Sequence, residues 1–484
     1  MRTGPKAHKY VSLVSVWMVV CSIAGLVGLS AFLLAFIHRI KNRPEGTWDI
    51  INLADTWQSY LFVGCIVLIF VVLLILLIRA IYTLNHPQTV LVTIQYTDKD
   101  GNFHQITKEI DDIKEYQKSK NSGERFQKLS MLDKQYPYKE YIDSTDGLNL
   151  EYICRRFRSF ASNIQGNPLY YSIKDIRRWV AAMGVSKILV LQGMSGTGKT
   201  SLPVAWGKFT GVATTVVPVQ PMWKERSDLI GYYNEFTGKF NESMILEKLY
   251  EANKTDKMFI IVLDEVNIAR IEYYFAEFLS LLELPTQDER ILEVTTSIAR
   301  KDPRDLHAGK IILPNNVWFV GTANNDDSTF SISDKVYDRS MVMNLDYRCD
   351  PFIGEDDKEP IKISEAVFRR LVNQAKKEFT LTKRGRMHIK DFDKYLKATF
   401  GITYGNRIRR QIENYVPVYI ACGGNEEEAI DDLLAKKVLR KLEAQNPIFV
   451  KSKSEETIAK LNDIFGQDKM VECIAYIRKL TQNV

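Results

Sequence analysis

Eight residues, Gly193–Thr200 (GMSGTGKT), place glycine at the first, fourth and sixth positions and close on lysine and threonine. They complete the pattern GxxxxGK[ST] and directly follow Ile188–Gln192 (ILVLQ), an apolar run of buried-strand type. In such a loop the glycines let successive backbone N–H groups curl around phosphate oxygens, and the helix that opens next adds a favourable field. Gly193, Ser195, Gly196, Thr197, Gly198 and Ser201 would line this cradle, with Lys199 on the β- and γ-phosphates and Thr200 on Mg²⁺. The competing reading, a glycine-rich turn that binds nothing, is disfavoured by the completeness of the pattern and by the strand before it.

A second apolar strand, Met258–Glu265 (MFIIVLDE), ends in two carboxylates, the first of them 65 residues beyond Lys199. Asp264 suits coordination or the outer sphere of Mg²⁺, and Glu265 suits polarising an attacking water. A third strand, Asn316–Thr322, leads to Ala323, Asn324, Asn325 and Asp326. Beside the other two motifs, Asn324 could hydrogen-bond the same water; taken alone, the segment would read as a turn.

Glycine loop, Asp–Glu pair, strand-end Asn and a late Arg, in that order, resemble the AAA+ ATPases with their P-loop core. In detail they are similar to the McrB branch of the dynein-related, MoxR-like AAA domains, the motor subunits of methylcytosine-dependent restriction systems. The residues behind this are Leu263–Glu283, which resemble the branch's DEINR-type motif and the helix after it, Gly321–Asn324, which resemble its GTMN strand end, and Asp334–Arg339. The resemblance covers roughly residues 160–440. It implies Asn324 as the sensor-1 residue, Arg339 as an arginine finger reaching a neighbouring subunit's nucleotide, and Arg407, with Arg410 second, as the basic residue of a helical lid. Ile268 stands where the branch has Arg, and the usual Arg cluster is reduced to Arg339. A solvated basic helix face is the bland alternative for Arg407. The resemblance further implies ATP as substrate, GTP remaining open because phosphate motifs do not read the base, and a homo-oligomeric ring, a hexamer by analogy.

These residues need elements to hold them, and the whole chain bounds what those elements can be. Against 59 Asp plus Glu stand 65 Lys plus Arg, a net charge of +6, and the apolar share of 45% is ordinary, which excludes a fibrous or acidic disordered chain. Residues 1–85 hold seven basic and three acidic side chains, so the other 399 residues sit near +2 and bulk charge gives no support for coating nucleic acid. Six scattered cysteines without a CxxC pair, and histidines without ligand spacing, argue against a disulfide framework and a structural zinc site. Tyr10–Ile37 and Ser59–Ile78 are free of charged side chains. The first, as a helix, would extend about 42 Å, enough to cross a bilayer with tilt. A cleaved signal peptide is disfavoured because the run exceeds a signal core and no small-residue cleavage site follows promptly; a buried soluble hairpin is disfavoured by two such runs. Flanking basic residues tie at both ends of the first run, so orientation follows from the nucleotide pool: both termini cytoplasmic, residues 41–56 outside.

The expected architecture is α/β, a P-loop AAA+ core of parallel sheet flanked by helices with an α-helical lid, preceded by two transmembrane helices and a short β-hairpin. Its expected parts are a membrane anchor at 1–85, hairpin and linker at 86–150 with short helices within 111–150, nucleotide-binding core at 151–350, and helical lid and extension at 351–484. The hairpin is read from Thr89–Thr97 and Phe103–Ile110 around Asp98–Gly101; amphipathic helices are read at 150–160, 173–183, 429–442 and 455–464. Aromatics in 216–233 and the basic trio Lys383, Arg384 and Arg386 receive no site. The function expected is a membrane-anchored ring ATPase for remodelling or translocation, with a partner protein or polymer unidentified. A nucleotide-gated membrane switch with slow hydrolysis is the alternative. No LSGGQ-like signature of an ABC transporter and no nuclease constellation is apparent.

Overall fold

The computed structural model describes residues 90–97, 103–110, 124–135, 147–212, 214–296, 301–324, 329–354 and 359–482. The two expected membrane spans, 10–37 and 59–78, lie outside the described residues, and among the described residues no helix is long and apolar enough to cross a membrane. The chain divides into two compact units, 1–121 and 122–484. In the first, strands β1 (Val90–Thr97) and β2 (Phe103–Ile110) pair antiparallel, from Val90 opposite Ile110 to Thr97 opposite Phe103.

The second unit starts well before residue 151. Helix α1 (Gln127–Gln135) lies in the expected linker, yet Phe126, Leu129 and Leu132 are buried in a core cluster with Leu246 and Tyr250. A short helix is expected in this stretch, but its sparse apolar positions do not fix its bounds or its partner, because three anchors suffice to pin such a segment to a large neighbour. Helices α2 (Leu150–Ser162) and α3 (Ile173–Val185) follow, started by Asn149 and Ser172, whose side chains accept hydrogen bonds from the N–H groups of Tyr152 and Asp175.

Strand β3 (Ile188–Gly193) then leads through the glycine loop into α4 (Ser201–Phe209), and β4 (Thr215–Pro218) comes next. A side excursion contains α5 (Arg226–Ile230), the hairpin β5 (Gly231–Asn234) with β6 (Lys239–Glu242), and α6 (Met244–Ala252). Strand β7 (Phe259–Asp264) ends at a 3₁₀ turn, Val266–Ile268, before α7 (Ile271–Tyr274) and α8 (Ala276–Leu281). A small hairpin of β8 (Ile291–Glu293) and β9 (Lys310–Ile312) precedes β10 (Val317–Asn324), α9 (Asp334–Arg339) and β11 (Met341–Asn344).

Five strands form one parallel sheet in the order β11-β3-β10-β7-β4. Successive side chains leave a strand on opposite faces, and both faces here are apolar. Leu189, Leu191, Ile260, Val262, Trp318, Val320, Met341 and Met343 join one core; Ile188, Val190, Phe259, Ile261, Leu263, Val317, Phe319 and Val342 join the other.

The helical C-terminal part comprises α10 (Glu365–Glu378), α11 (Lys383–Phe400), α12 (Asn406–Ala421), α13 (Glu426–Leu433), α14 (Pro447–Phe465) and α15 (Val471–Gln482). Its apolar side chains belong to the same cluster as α2, α3, α4 and one sheet face, so core and helical part share one interior. The amphipathic run read at 429–442 is not one helix: α13 passes into a π-helical segment, Leu434–Val438, and then a 3₁₀ segment, Leu439–Ala444. There a wide turn accommodates buried Lys436, which pairs with Asp432 four residues earlier, and buried Lys437, which donates to the distant Tyr337 and Ser340 carbonyls. Lys383, Arg384 and Arg386 lie exposed in the first turn of α11, and Trp223 packs edge-on against Tyr274 in the core.

Candidate active site

Parallel strands aim their C-terminal ends at one edge of the sheet, where open α/β sheets bind ligands. The glycine loop leaves β3 at this edge, next to β10, which carries Asn324 opposite Gly193 in register. Gly193 has φ +145° and a Cβ there would stand 2.3 Å from the Leu345 carbonyl oxygen; Gly198 has φ +90°. Both positions demand glycine, one for close approach and the other for its left-handed backbone. Tyr171 donates its hydroxyl to the Gly198 carbonyl at 3.2 Å and thereby ties the loop to the start of α3. Burial of that phenol pushes its pKa up.

The Lys199 ammonium is buried and donates to the Gly193 and Met194 carbonyls at 3.0 and 2.6 Å. Thr200 donates its hydroxyl to Asp264 Oδ1 at 2.8 Å, and Thr322 donates to the same oxygen at 2.6 Å. The backbone N–H of Glu265 in turn donates to the Thr322 hydroxyl at 2.9 Å. Thr322 therefore joins the carboxylate pair of β7 to β10, and period-two alternation, which sets it on the same strand face as Asn324, is the signal that could have found it.

Glu265 adopts φ 57°, ψ 55°, a left-handed conformation that costs a non-glycine residue of order 1–3 kcal/mol. The turn leaves its side chain exposed at the strand edge, where Asn324 Nδ2 donates to Glu265 Oε1 at 3.3 Å. Buried Asn267 holds the Asn324 carbonyl at 2.8 Å and the Thr329 hydroxyl at 2.9 Å, which fixes the end of β10. Asn325 and Asp326 lie outside the described residues. Ile268, the departure from the basic residue of the resembled motif, packs against the apolar core.

Lys199, Thr200, Asp264, Glu265 and Asn324 are thus gathered at one edge. Arg339 and Arg407 are not among them. Arg339 precedes β11, whose first residue pairs with Leu189 near the start of β3, so it sits at the opposite edge, about 20 Å away across six residues of strand. Arg407, at the start of α12, joins it there: Glu283 binds Arg407 Nε at 2.6 Å and Arg339 Nε at 3.2 Å. Arg407 therefore stands, like Arg339, at the edge remote from the glycine loop of its own chain.

Hydroxyl and carboxylate oxygens from Thr200 and Asp264 are hard donors of the kind Mg²⁺ takes, alongside phosphate oxygens and water. Among the described residues no group of three or more His, Cys, Asp or Glu side chains could hold a metal.

Residues 188–340 match the family model described as "AAA domain (dynein-related subfamily)", and residues 360–484 match "Domain of unknown function (DUF8727)". No curated protein matches the chain. One similar solved structure is that of a "putative ATPase" from Cytophaga hutchinsonii ATCC 33406, with 16% identity and TM-score 0.39 over 59% of this chain and 88% of that one. The matched region contains the glycine loop, the carboxylate pair and Asn324 on a parallel sheet, and so carries a nucleoside-triphosphatase core of AAA+ type.

Proposed function

We propose that this chain is a membrane-anchored AAA+ ATPase that assembles as a ring, a hexamer by analogy, and hydrolyses ATP between subunits. The carrying observation is the hydrogen-bonded series Thr200–Asp264–Thr322–Glu265–Asn324 beside Lys199. In this reading the loop N–H groups and Lys199 hold the phosphates, Glu265 and Asn324 position the water, and Thr200 and Asp264 hold Mg²⁺. Bound there, Mg²⁺ neutralises charge on the β- and γ-phosphate oxygens.

Arg339, remote from its own loop, suits action on the nucleotide of a neighbouring subunit, where a guanidinium offsets charge developing on the transferred phosphoryl group. Arg407, paired to the same carboxylate, would face that neighbour too. The anchor is the two uncharged runs, 10–37 and 59–78, with both termini cytoplasmic. Resemblance to restriction motors is the sole support for a place in prokaryotic anti-phage defence, and it leaves GTP as the alternative nucleotide. A nucleotide-gated membrane switch with slow hydrolysis is the second reading, favoured by the way Glu283 of the same chain already occupies Arg339.

Hydrolysis by full-length detergent-solubilised protein tests this, with ATP beside GTP for wild type, Glu265→Gln and Arg339→Ala. Glu265→Gln should keep nucleotide binding and lose about 10²–10⁴-fold in turnover; Arg339→Ala should lose about 10³–10⁵-fold. Full activity in either variant would remove that residue from the proposed machinery, and an assembled wild type that binds without turnover would favour the switch.

A further inference from the structure

Helix α11 runs for 18 residues with two unlike faces. Ile389, Phe392, Leu396 and Phe400 are buried in the core cluster that α14 also enters. On the opposite side Lys383, Arg386, Lys390, Lys394 and Lys397 are exposed, and their steps of three and four residues set them in one row about 21 Å long. Arg384 flanks the row, and Met387, within it, is exposed as well. Of the two acidic residues of the helix, Asp391 pairs with Lys394 at 3.0 Å and Asp393 accepts from the Thr403 hydroxyl at 3.1 Å. Lys383, Arg384, Arg386, Lys390 and Lys397 have no acidic partner among the described residues.

The row works against the helix that carries it. Like charges three and four residues apart repel along a helix, and Lys383, Arg384 and Arg386 stand at the positive end of the helix dipole, where no acidic side chain of the first turn offsets them. An anionic partner along the row would remove both penalties. The neighbouring surface favours one kind of partner. Ile448 and Phe449, in the first turn of α14, are 72% and 39% exposed, and the Phe449 ring lies edge-on, 5.7 Å from that of Phe400, the last residue of α11. The basic row therefore ends beside an exposed apolar pair. A bilayer surface accepts both, because lysine and arginine meet anionic headgroups while apolar side chains enter the layer beneath. A nucleic-acid backbone would satisfy the charges and leave the apolar pair in water.

We infer that α11 docks on an anionic bilayer surface through its basic row. The two uncharged runs at 10–37 and 59–78 would hold the chain at such a surface, and the cytoplasmic leaflet, on whose side both termini are expected, carries the anionic lipids. The inference rests on the proposed anchor for its setting; the choice of lipid comes from the row.

The experiment is acetylation of lysines, read residue by residue by mass spectrometry, on full-length protein reconstituted in vesicles of phosphatidylcholine alone or mixed with phosphatidylserine. Lys390, Lys394 and Lys397 should react at least about fivefold more slowly in the mixed vesicles than in the neutral ones, while exposed Lys335 of α9 should react alike in both. Raised salt should abolish the difference. Arg384→Glu with Arg386→Glu should remove most of the protection and leave ATP binding at the glycine loop intact, which controls for folding. Equal reactivity of the row in the two kinds of vesicle, or protection indifferent to the charge reversals, overturns the inference. So does protection by added duplex DNA in neutral vesicles with none from phosphatidylserine, which would give the row to nucleic acid. Flotation with the neutral vesicles reads the proposed anchor by itself, so its failure and that of the inference are told apart.

Discussion

At the scale of single residues the site depends on Thr322. Its hydroxyl donates to Asp264 and accepts from the Glu265 N–H, so one oxygen sets both the metal-side carboxylate and the strained turn that presents Glu265. Thr322→Val keeps the shape and removes both bonds. Hydrogen bonds to charged groups contribute about 1.5–3 kcal/mol, so turnover should fall roughly tenfold to a hundredfold while nucleotide affinity changes little. Steady-state hydrolysis with a parallel binding titration checks this, and an unchanged rate would show that Asp264 and Glu265 are held without Thr322.

The elements matter through how they are fastened to one another. Helix α9, which carries Arg339, is held from the helical part: Lys437 donates to the Tyr337 and Ser340 carbonyls, and the Arg440 guanidinium lies 3.4 Å from the centre of the Tyr337 ring. Tyr337 also receives a hydrogen bond from Gln192, the residue just before the glycine loop. The loop and the arginine helix thus share a fastening.

A second fastening joins α3 to α13 and α15, where buried Arg178 meets Asp432 at 2.9 Å and Glu472 at 2.8 Å. Burial pushes the Glu472 carboxyl up, but Arg178 and Lys174 outweigh it and hold the group at about 2, against an ordinary 4.5. Its folded pKa is depressed, so the stabilisation is complete above about 4.5 and is lost as pH falls from there toward 2. Arg178→Met should cost up to about 3 kcal/mol at neutral pH, because buried Asp432 and half-buried Glu472 are left with one cation fewer. It should also flatten the acid limb of the stability curve, which denaturant unfolding of the variant between pH 5 and 2 would show; an unchanged limb would exclude the Arg178–Glu472 pair as its source.

For the whole molecule, the separation of Arg339 from its own glycine loop makes a prediction about assembly. Lys199→Ala removes the loop's cation and leaves Arg339; Arg339→Ala does the reverse. Mixed before assembly, the two inactive proteins should regain hydrolysis, since an Arg339→Ala subunit can receive the arginine of a Lys199→Ala neighbour. No recovery in mixed oligomers would place Arg339 outside the hydrolysis step. Labelling of cysteines introduced at residues 45 and 120 in intact cells tests the anchor: only the first should react from outside.

Motifs whose chemistry lies in contiguous residues were open to the sequence. The glycine loop needs its pattern within eight positions, the apolar strands announce themselves by composition, and Asp264, Glu265 and Asn324 stand at strand ends, so each was placed without coordinates. The helices read at 150–160 and 173–183 are local in the same way, since their caps Asn149 and Ser172 are satisfied within three residues.

What depends on partners distant in the chain was not open. The place of α1 rests on a core more than 100 residues later that covers Leu129, Leu132 and the preceding Phe126, and in the run at 429–442 buried Lys437 donates to the Tyr337 and Ser340 carbonyls about 100 residues earlier. Arg407 stands beside Arg339 because the packing of α12 sets both guanidinium groups against Glu283. A side chain's type and its neighbours in sequence determine which bonds it can make; only the tertiary structure decides which edge of the sheet it stands at, because that position is the sum of every intervening turn and packing contact.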